Sequence, residues 1–157
     1  MRNIDNMMKS IMEKKLQGEI SDITRHHLEN FYKDNPFPEV IGLHIENIEY
    51  GSVTMRLDVR HDLTNFYGIA HGGVAMSLAD TAMGATCLSC NKKVVTQALN
   101  YNFIRAAVEG TRLIATGRVI HNGLKTMVCE TEVKDEEGEL YGKATGTFFV
   151  IGAFDGK

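Results

Sequence analysis

A carboxylate set among apolar neighbours is the first residue in this sequence that could do chemistry. Asp80 lies within Gly72-Gly73-Val74-Ala75-Met76-Ser77-Leu78-Ala79-Asp80-Thr81-Ala82-Met83-Gly84-Ala85-Thr86-Cys87-Leu88. That segment is rich in small helix formers and apolar on almost every face, which marks a buried helix rather than a surface one. An aspartate there must be desolvated or partnered, because an unpaired buried charge is costly. A structural aspartate bonded to a neighbouring loop would meet that need as well as a general base. Gly72 and Gly73, at the helix start, weigh towards chemistry. The first turn of a helix carries N–H groups without intrahelical partners, at the positive end of the dipole. Glycines let a ligand come close to that backbone, giving a donor site for an anion or for an oxyanion forming on a carbonyl. Taken alone, the glycine pair is also an ordinary loop-to-helix turn. His71 directly precedes it, and Asn65 lies in the polar loop upstream.

Distance then decides how these groups can cooperate. Gly72 and Asp80 are eight residues apart, roughly 12 Å along a helix axis. An oxyanion donor and a general base must both come within about 3 Å of one reacting centre. One chain therefore cannot supply both to the same carbonyl. A catalytic reading demands two subunits with antiparallel central helices side by side, and so a dimer with two composite sites. A protein that is monomeric and active would refute it.

Other chemically suggestive residues have plainer readings. Cys87-Leu88-Ser89-Cys90 has C-x-x-C spacing, but it ends a buried helix, whereas a redox pair belongs at a helix start after a strand. Zinc would want a second ligand pair, so packing is expected. His26-His27 reads as a solvated pair on a surface helix. The eight methionines read as helix-packing residues that could also line an acyl pocket. Arg105, Arg118, Lys125 and Lys143 are candidate cations for a phosphate-bearing ligand, although exposed strand cations are usually just solvated edge charges.

The elements that position these residues follow from periodicity. Met8, Ile11, Met12 and Leu16 recur at helical spacing, with Gly18 where a C-terminal cap would be. Ser21 reads as the N-cap of a second helix to about Tyr32, with Ile23, His27, Leu28 and Phe31 on one face. Asn35-Pro36-Phe37-Pro38 breaks it. From Ile41 the period changes to two. Residues 41–50 and 52–59 flank Gly51 as a hairpin, and residues 62–70 form a polar loop. After the buried helix, strands are predicted over 94–105, 112–120, 126–134 and 140–151, with Asn122-Gly123 and Glu137-Gly138 at hairpin turns. An antiparallel sheet wrapped around one central helix satisfies this order, an α+β architecture.

The 157 residues suit one domain with a terminal extension. The composition is 43% apolar and 24% charged, that of a soluble globular chain. A chain this long buries about two thirds of its unfolded surface, so it needs no disulfide or metal staple. No apolar run approaches the roughly 20 residues that span a bilayer, and the N-terminus leads into no signal core. A net charge of −3 argues against a nucleic-acid coat or a general membrane-surface binder. Three cysteines make no disulfide framework, so a cytoplasmic location is expected.

The stretch Asn65-Phe66-Tyr67-Gly68-Ile69-Ala70-His71-Gly72-Gly73, followed by Leu78-Ala79-Asp80, resembles the hotdog-fold thioesterases of the PaaI-like acyl-CoA branch. That branch shows an Asn-x-x-Gly-x-x-His-Gly-Gly loop and then an acidic residue on the central helix at this spacing. The resemblance runs over residues 40–151, including Gly117-Arg118 and Gly138 on the late strands, and leaves out the N-terminal helical segment. It implies a hotdog fold, with residues 1–37 a helical extension and 38–157 the thioesterase domain.

It further implies roles for five residues. Asp80 matches the carboxylate that activates water or attacks the thioester carbon. The Gly72 N–H matches the oxyanion donor from the opposing subunit. Asn65 matches an amide that positions the water or the thioester, and His71 a loop histidine that orders the loop. Thr96 falls where related enzymes carry Ser or Thr near the carboxylate. The implied activity is hydrolysis of an aryl or short-to-medium acyl-CoA to free acid and CoA, with no cofactor or metal. A homodimer, and beyond it a homotetramer, is the implied assembly. Two other readings stay open: a non-catalytic acyl-CoA binding module, and an acyl-thioester hydratase on the same fold. The hydratase relatives pair a catalytic His with an acidic residue at a different spacing.

Overall fold

The computed structural model describes residues 18–31 and 35–156. The helix expected around Met8 to Leu16 lies outside them, as does Tyr32. Ser21 caps the first described helix, α1 (Asp22–Glu29), its Oγ accepting from Thr24 N at 3.3 Å. Leu28 and Phe31 turn into the core as expected, whereas Ile23 stays 50% exposed. The Asn35-Pro36-Phe37-Pro38 stretch does more than end that helix. It starts a second one, α2 (Pro36–Ile41), because proline at the first helical position gives up an N–H that had no partner. Gly42, at φ 76°, closes α2 in the left-handed conformation that favours glycine. The next strand consequently begins at Leu43 rather than Ile41.

Six strands follow: β1 (Leu43–Glu49), β2 (Ser52–Asp58), β3 (Lys92–Phe103), β4 (Arg112–Asn122), β5 (Thr126–Lys134) and β6 (Leu140–Ala153). All pairings are antiparallel, in the order β1-β2-β4-β5-β6-β3. The helix α3 (Gly72–Ser89) sits between β2 and β3 in sequence and packs against the concave face of the sheet. This is the hotdog arrangement. Alternating residues point at the helix: Val53, Met55 and Leu57 from β2, Leu113 and Ala115 from β4, and Met127, Cys129 and Val133 from β5 are all buried.

The sheet covers one side of the helix, burying nine of its eighteen residues, and the small ones among them let the strands come close. A Cβ on Gly117 of β4 would lie 2.8 Å from the Ala82 carbonyl and closer still to Thr86 Oγ1. Two buried hydroxyls fasten the helix to the first hairpin. Thr86 Oγ1 accepts from Val53 N at 3.1 Å, and Ser89 Oγ accepts from Gly51 N at 2.9 Å. The cysteines behave as packing groups. Cys87 and Cys90 are both buried and unbridged, and the Cys87 sulfur faces Cys129 at 3.4 Å rather than Cys90. Asn122-Gly123 does precede the β4–β5 connection, but Gly123 is not in a left-handed conformation. Its hydrogen is needed because a Cβ would approach the Thr126 carbonyl to 2.7 Å.

Candidate active site

Asp80 lies in the middle of α3, half-buried, on the side facing β3. Its Oδ1 accepts a hydrogen bond from Thr96 Oγ1 of β3 at 2.9 Å. That bond satisfies one carboxylate oxygen and fixes the rotamer, and it leaves Oδ2 open to a cavity of about 320 Å³. The cavity is walled by Phe31, Phe37 and Pro38 from the N-terminal segment, by Gly84 and Leu88 of α3, and by Phe148 of β6. His27, Asn35 and Thr81 complete its polar edge. Burial, with His26 adding to it, holds the His27 imidazole below its ordinary value, so the ring is neutral near pH 7. It packs on Phe154 at 4.7 Å between centroids.

The other three expected residues lie at the N-terminal end of α3. His71 is the N-cap, its Nδ1 accepting from Gly73 N at 3.1 Å, and its own N–H bonds to Leu63 O at 2.9 Å. The imidazole therefore spends an acceptor on the helix end and ties the loop down. With Gly73 N–H taken by His71, the Gly72 N–H is the donor that no acceptor engages among the described residues. Asn65 shapes the same loop: its Oδ1 accepts from Tyr67 N at 2.9 Å, an Asx turn. Gly68 closes that turn at φ 74°. Since Oδ1 is committed, Asn65 can offer a ligand its Nδ2 hydrogens.

Asn65 and Gly72 line a second cavity, of about 330 Å³, with Ile69, Tyr101, Phe103 and Arg105. Burial pushes the Tyr101 phenol up to about 12, so it stays protonated and can only donate or accept as a neutral group. This cavity shares no lining residue with the one beside Asp80. Each chain thus brings Asp80 to Thr96 and Gly72 to Asn65, but does not bring the two pairs together.

The candidate cations separate too. Arg105 borders the Gly72 cavity and pairs with Glu139 at 2.6 Å. Lys143 pairs with Glu132 at 3.2 Å on the sheet's outer side. Arg118 lines a different depression on β4 and β5, and Lys125 lies in the turn between those strands. Among the described residues no group of three His, Cys, Asp or Glu side chains could hold a metal ion, and no helix is long and apolar enough to cross a membrane. Of the methionines, Met55, Met83 and Met127 are fully buried core residues. Periodicity alone does not tell which individual side chains wall the Asp80 cavity. Gly84, four residues after Asp80 and on the same helix face, is the one that helical spacing could have revealed.

Comparison with known proteins gives this geometry a context. A family model described as the thioesterase superfamily matches residues 67–141. A putative esterase of Saccharolobus solfataricus is 30% identical over 125 residues, which cover 78% of this chain and 89% of the relative. The acyl-coenzyme A thioesterase PaaI of Escherichia coli is 28% identical over 121 residues, covering 77% and 86%. The structure of the E. coli PaaI protein from the phenylacetic acid degradation operon superposes with a TM-score of 0.81 at 26% identity, over 87% of this chain and 99% of that one. That is more of the chain than residues 40–151, which are 112 of the 157, so the likeness extends into the N-terminal segment. A hypothetical thioesterase protein of Streptococcus pneumoniae, solved with coenzyme A, superposes at 0.70 with 31% identity, covering 72% and 91%. Variants of that protein have also been solved with alanine replacing an aspartate or a threonine, residues that lie sixteen positions apart.

Proposed function

Because this chain belongs to the thioesterase superfamily, as a PaaI-like hotdog thioesterase and so a thioester hydrolase, we propose that it hydrolyses an acyl-CoA to a free acid and CoA at a site composed by two subunits. The observation that carries this reading is Asp80: a carboxylate oriented by Thr96 at 2.9 Å that lines a cavity with aromatic walls and a polar edge. Asp80 and Thr96 are sixteen residues apart, the separation of the two residues replaced in the S. pneumoniae variants.

Thioesters are activated acyl donors, so a positioned water, one carboxylate and an oxyanion donor are enough. Asp80 takes a proton from water as the water oxygen bonds to the thioester carbon, or itself attacks that carbon. The carbonyl oxygen gains the negative charge and is met by the unclaimed Gly72 N–H of the partner subunit, at the positive end of α3. Asn65 Nδ2 aids in holding the thioester, while His71 holds the loop and the helix start in shape. Collapse of the adduct breaks the C–S bond and releases CoA as a thiolate. On the water route this leaves the free acid, and the thiolate takes up the proton held by Asp80. On the direct route it leaves a mixed anhydride on Asp80, which water then hydrolyses to free the acid, restore the carboxylate and supply the proton. Arg105 lines the Gly72 cavity and is the candidate cation for a CoA phosphate there.

The dimer is supported by the separation of the two cavities and by β3. This strand is twelve residues long, has β6 on one side only, and carries an open edge that can pair with another copy. Residues 1–37 serve in this reading as an extension to a domain of 38–157, with the described part of the extension walling the Asp80 cavity. Thiol release from a panel of aromatic and aliphatic acyl-CoAs tests the proposal. Asp80→Asn is expected to lower kcat at least 100-fold, the order contributed by a positioned general base, with the assembly intact. Undiminished turnover in the variant would remove Asp80 from its role. Binding of acyl-CoA by the wild type without any turnover would favour a binding module instead.

A further inference from the structure

Gly84 is a glycine that the fold does not ask for. It lies inside α3, where glycine weakens a helix relative to alanine. Its backbone conformation is not left-handed, so no turn requires it. Packing within the chain does not require it either: a Cβ there would meet only Phe148 Cε1, at 3.9 Å, an ordinary van der Waals contact. The contrast with other glycines of this core is direct. A Cβ on Gly117 would lie 2.8 Å from a backbone carbonyl, and one on Gly146 would lie 2.8 Å from the Phe148 ring. What the missing side chain at residue 84 does leave open is the cavity beside Asp80, which Gly84 lines together with Phe148 and, across from the helix, Phe31 and Phe37.

Resting on the thioesterase reading above, we propose that Gly84 is a specificity-determining residue, the floor that sets how large an acyl group can lie beside Asp80. Position 84 is one helical turn beyond Asp80 on the same face. An acyl chain whose carbonyl carbon sits at the Asp80 carboxylate therefore extends over Gly84. There it meets three phenyl rings, from Phe31 and Phe37 of the N-terminal segment and Phe148 of β6. An apolar cavity of about 150 Å³ holds a benzene ring. The roughly 320 Å³ here thus takes a ring together with its carbonyl and a short link, and each methyl added at residue 84 removes part of that space. An acetyl group ends before the position and is not affected.

The test compares wild type, Gly84→Ala and Gly84→Val on two thioesters, benzoyl-CoA and acetyl-CoA, by thiol release. In Gly84→Ala the ratio of kcat/KM for benzoyl-CoA over acetyl-CoA is expected to fall about tenfold, the usual scale for one methylene of misfit in an apolar pocket. Gly84→Val is expected to lower it further. Acetyl-CoA turnover by Gly84→Ala should stay within about twofold of wild type, and its Tm should be equal or higher because alanine is the better helix former. Folding failure therefore cannot mimic the result. An unchanged ratio, or an equal loss on both thioesters, overturns the assignment of Gly84. No turnover of either thioester by wild type overturns the hydrolase reading itself, and this inference with it.

Discussion

Asp80 and Thr96 are held to one another rather than hidden, and that distinction matters for function. A buried aspartate serving only structure would have both oxygens satisfied by its own chain, whereas here Oδ1 accepts from Thr96 and the other oxygen faces a cavity. A hydrogen bond to a charged group contributes about 1.5–3 kcal/mol. Thr96→Ala is accordingly expected to lower kcat about tenfold or more with little change in KM, and Thr96→Ser, which keeps the hydroxyl, to restore most of it. Steady-state thiol release measures both, and equal losses in the two variants would reduce Thr96 to a packing residue. At this scale the sequence was legible where a residue's type conflicted with its surroundings. Asp80 announced itself as a charge in an apolar helix, and Gly72 as a glycine at a helix start. Thr96 carries no such conflict, being a β-branched residue in a strand. Only the family resemblance suggested it, and only the three-dimensional structure shows its hydroxyl on Asp80. The cysteines give the opposite lesson. Their C-x-x-C spacing is chemically suggestive, but burial pushes the Cys90 thiol up to about 11, a group with little thiolate at neutral pH.

At the scale of elements, α3 and the sheet are matched by close approach. Gly117 of β4 lies against the turn of α3 that holds Ala82 and Thr86, and the nearest backbone atom to a new Cβ is 2.8 Å away. A carbonyl of a packed helix cannot swing aside as a side chain can. Gly117→Ala should therefore cost about 1–3 kcal/mol and lower Tm by several degrees in a calorimetric melt. A Tm within about one degree of wild type would mean that the helix shifts freely on the sheet. Element types were well encoded, because period-two alternation and an all-apolar helix are one-dimensional patterns. Their ends were less so. The proline pair ends one helix, as its type dictates, and it is also a start, since residues 36–41 form a helix. Proline halts one helix and initiates the next by the same missing N–H.

For the whole molecule, the decisive feature is that one chain separates the Asp80–Thr96 pair from Gly72 and Asn65 into two cavities with no shared residue. Mixing inactive variants tests whether partner subunits reunite them. Gly72→Pro removes the N–H at the first helical position, where proline is tolerated. His71, at φ −61° and ψ 137°, already has the extended conformation that precedes a proline. Phe103, the ring nearest to a new Cβ at 3.2 Å, is largely exposed and can move. Asp80→Asn and Gly72→Pro should each be inactive alone. Equal mixtures, after subunit exchange, should recover about a quarter of wild-type turnover, because half the dimers are mixed and each has one intact site. No recovery despite demonstrated exchange would refute the composite site. An apolar patch lies beside the same edge strand. Val95 and Phe149, paired across β3 and β6, are 49% and 44% exposed, next to the open edge.

The amino-acid order specifies the central helix, the strands around it, the hotdog family and the residues with chemical conflicts, because all of these are written in local periodicity and in motif spacing. It also determined that Gly72 and Asp80 stand too far apart to meet within one chain, since a helix converts residue number into length at a fixed rise. Tertiary structure alone decided that β3 crosses to the far edge beside β6 and that Thr96 meets Asp80. It likewise decided that Phe31, Phe37 and Phe148 converge on Gly84 from three separate parts of the chain. Those are contacts between residues distant in sequence, and they follow from how the sheet curves and closes on the helix, which no local pattern records.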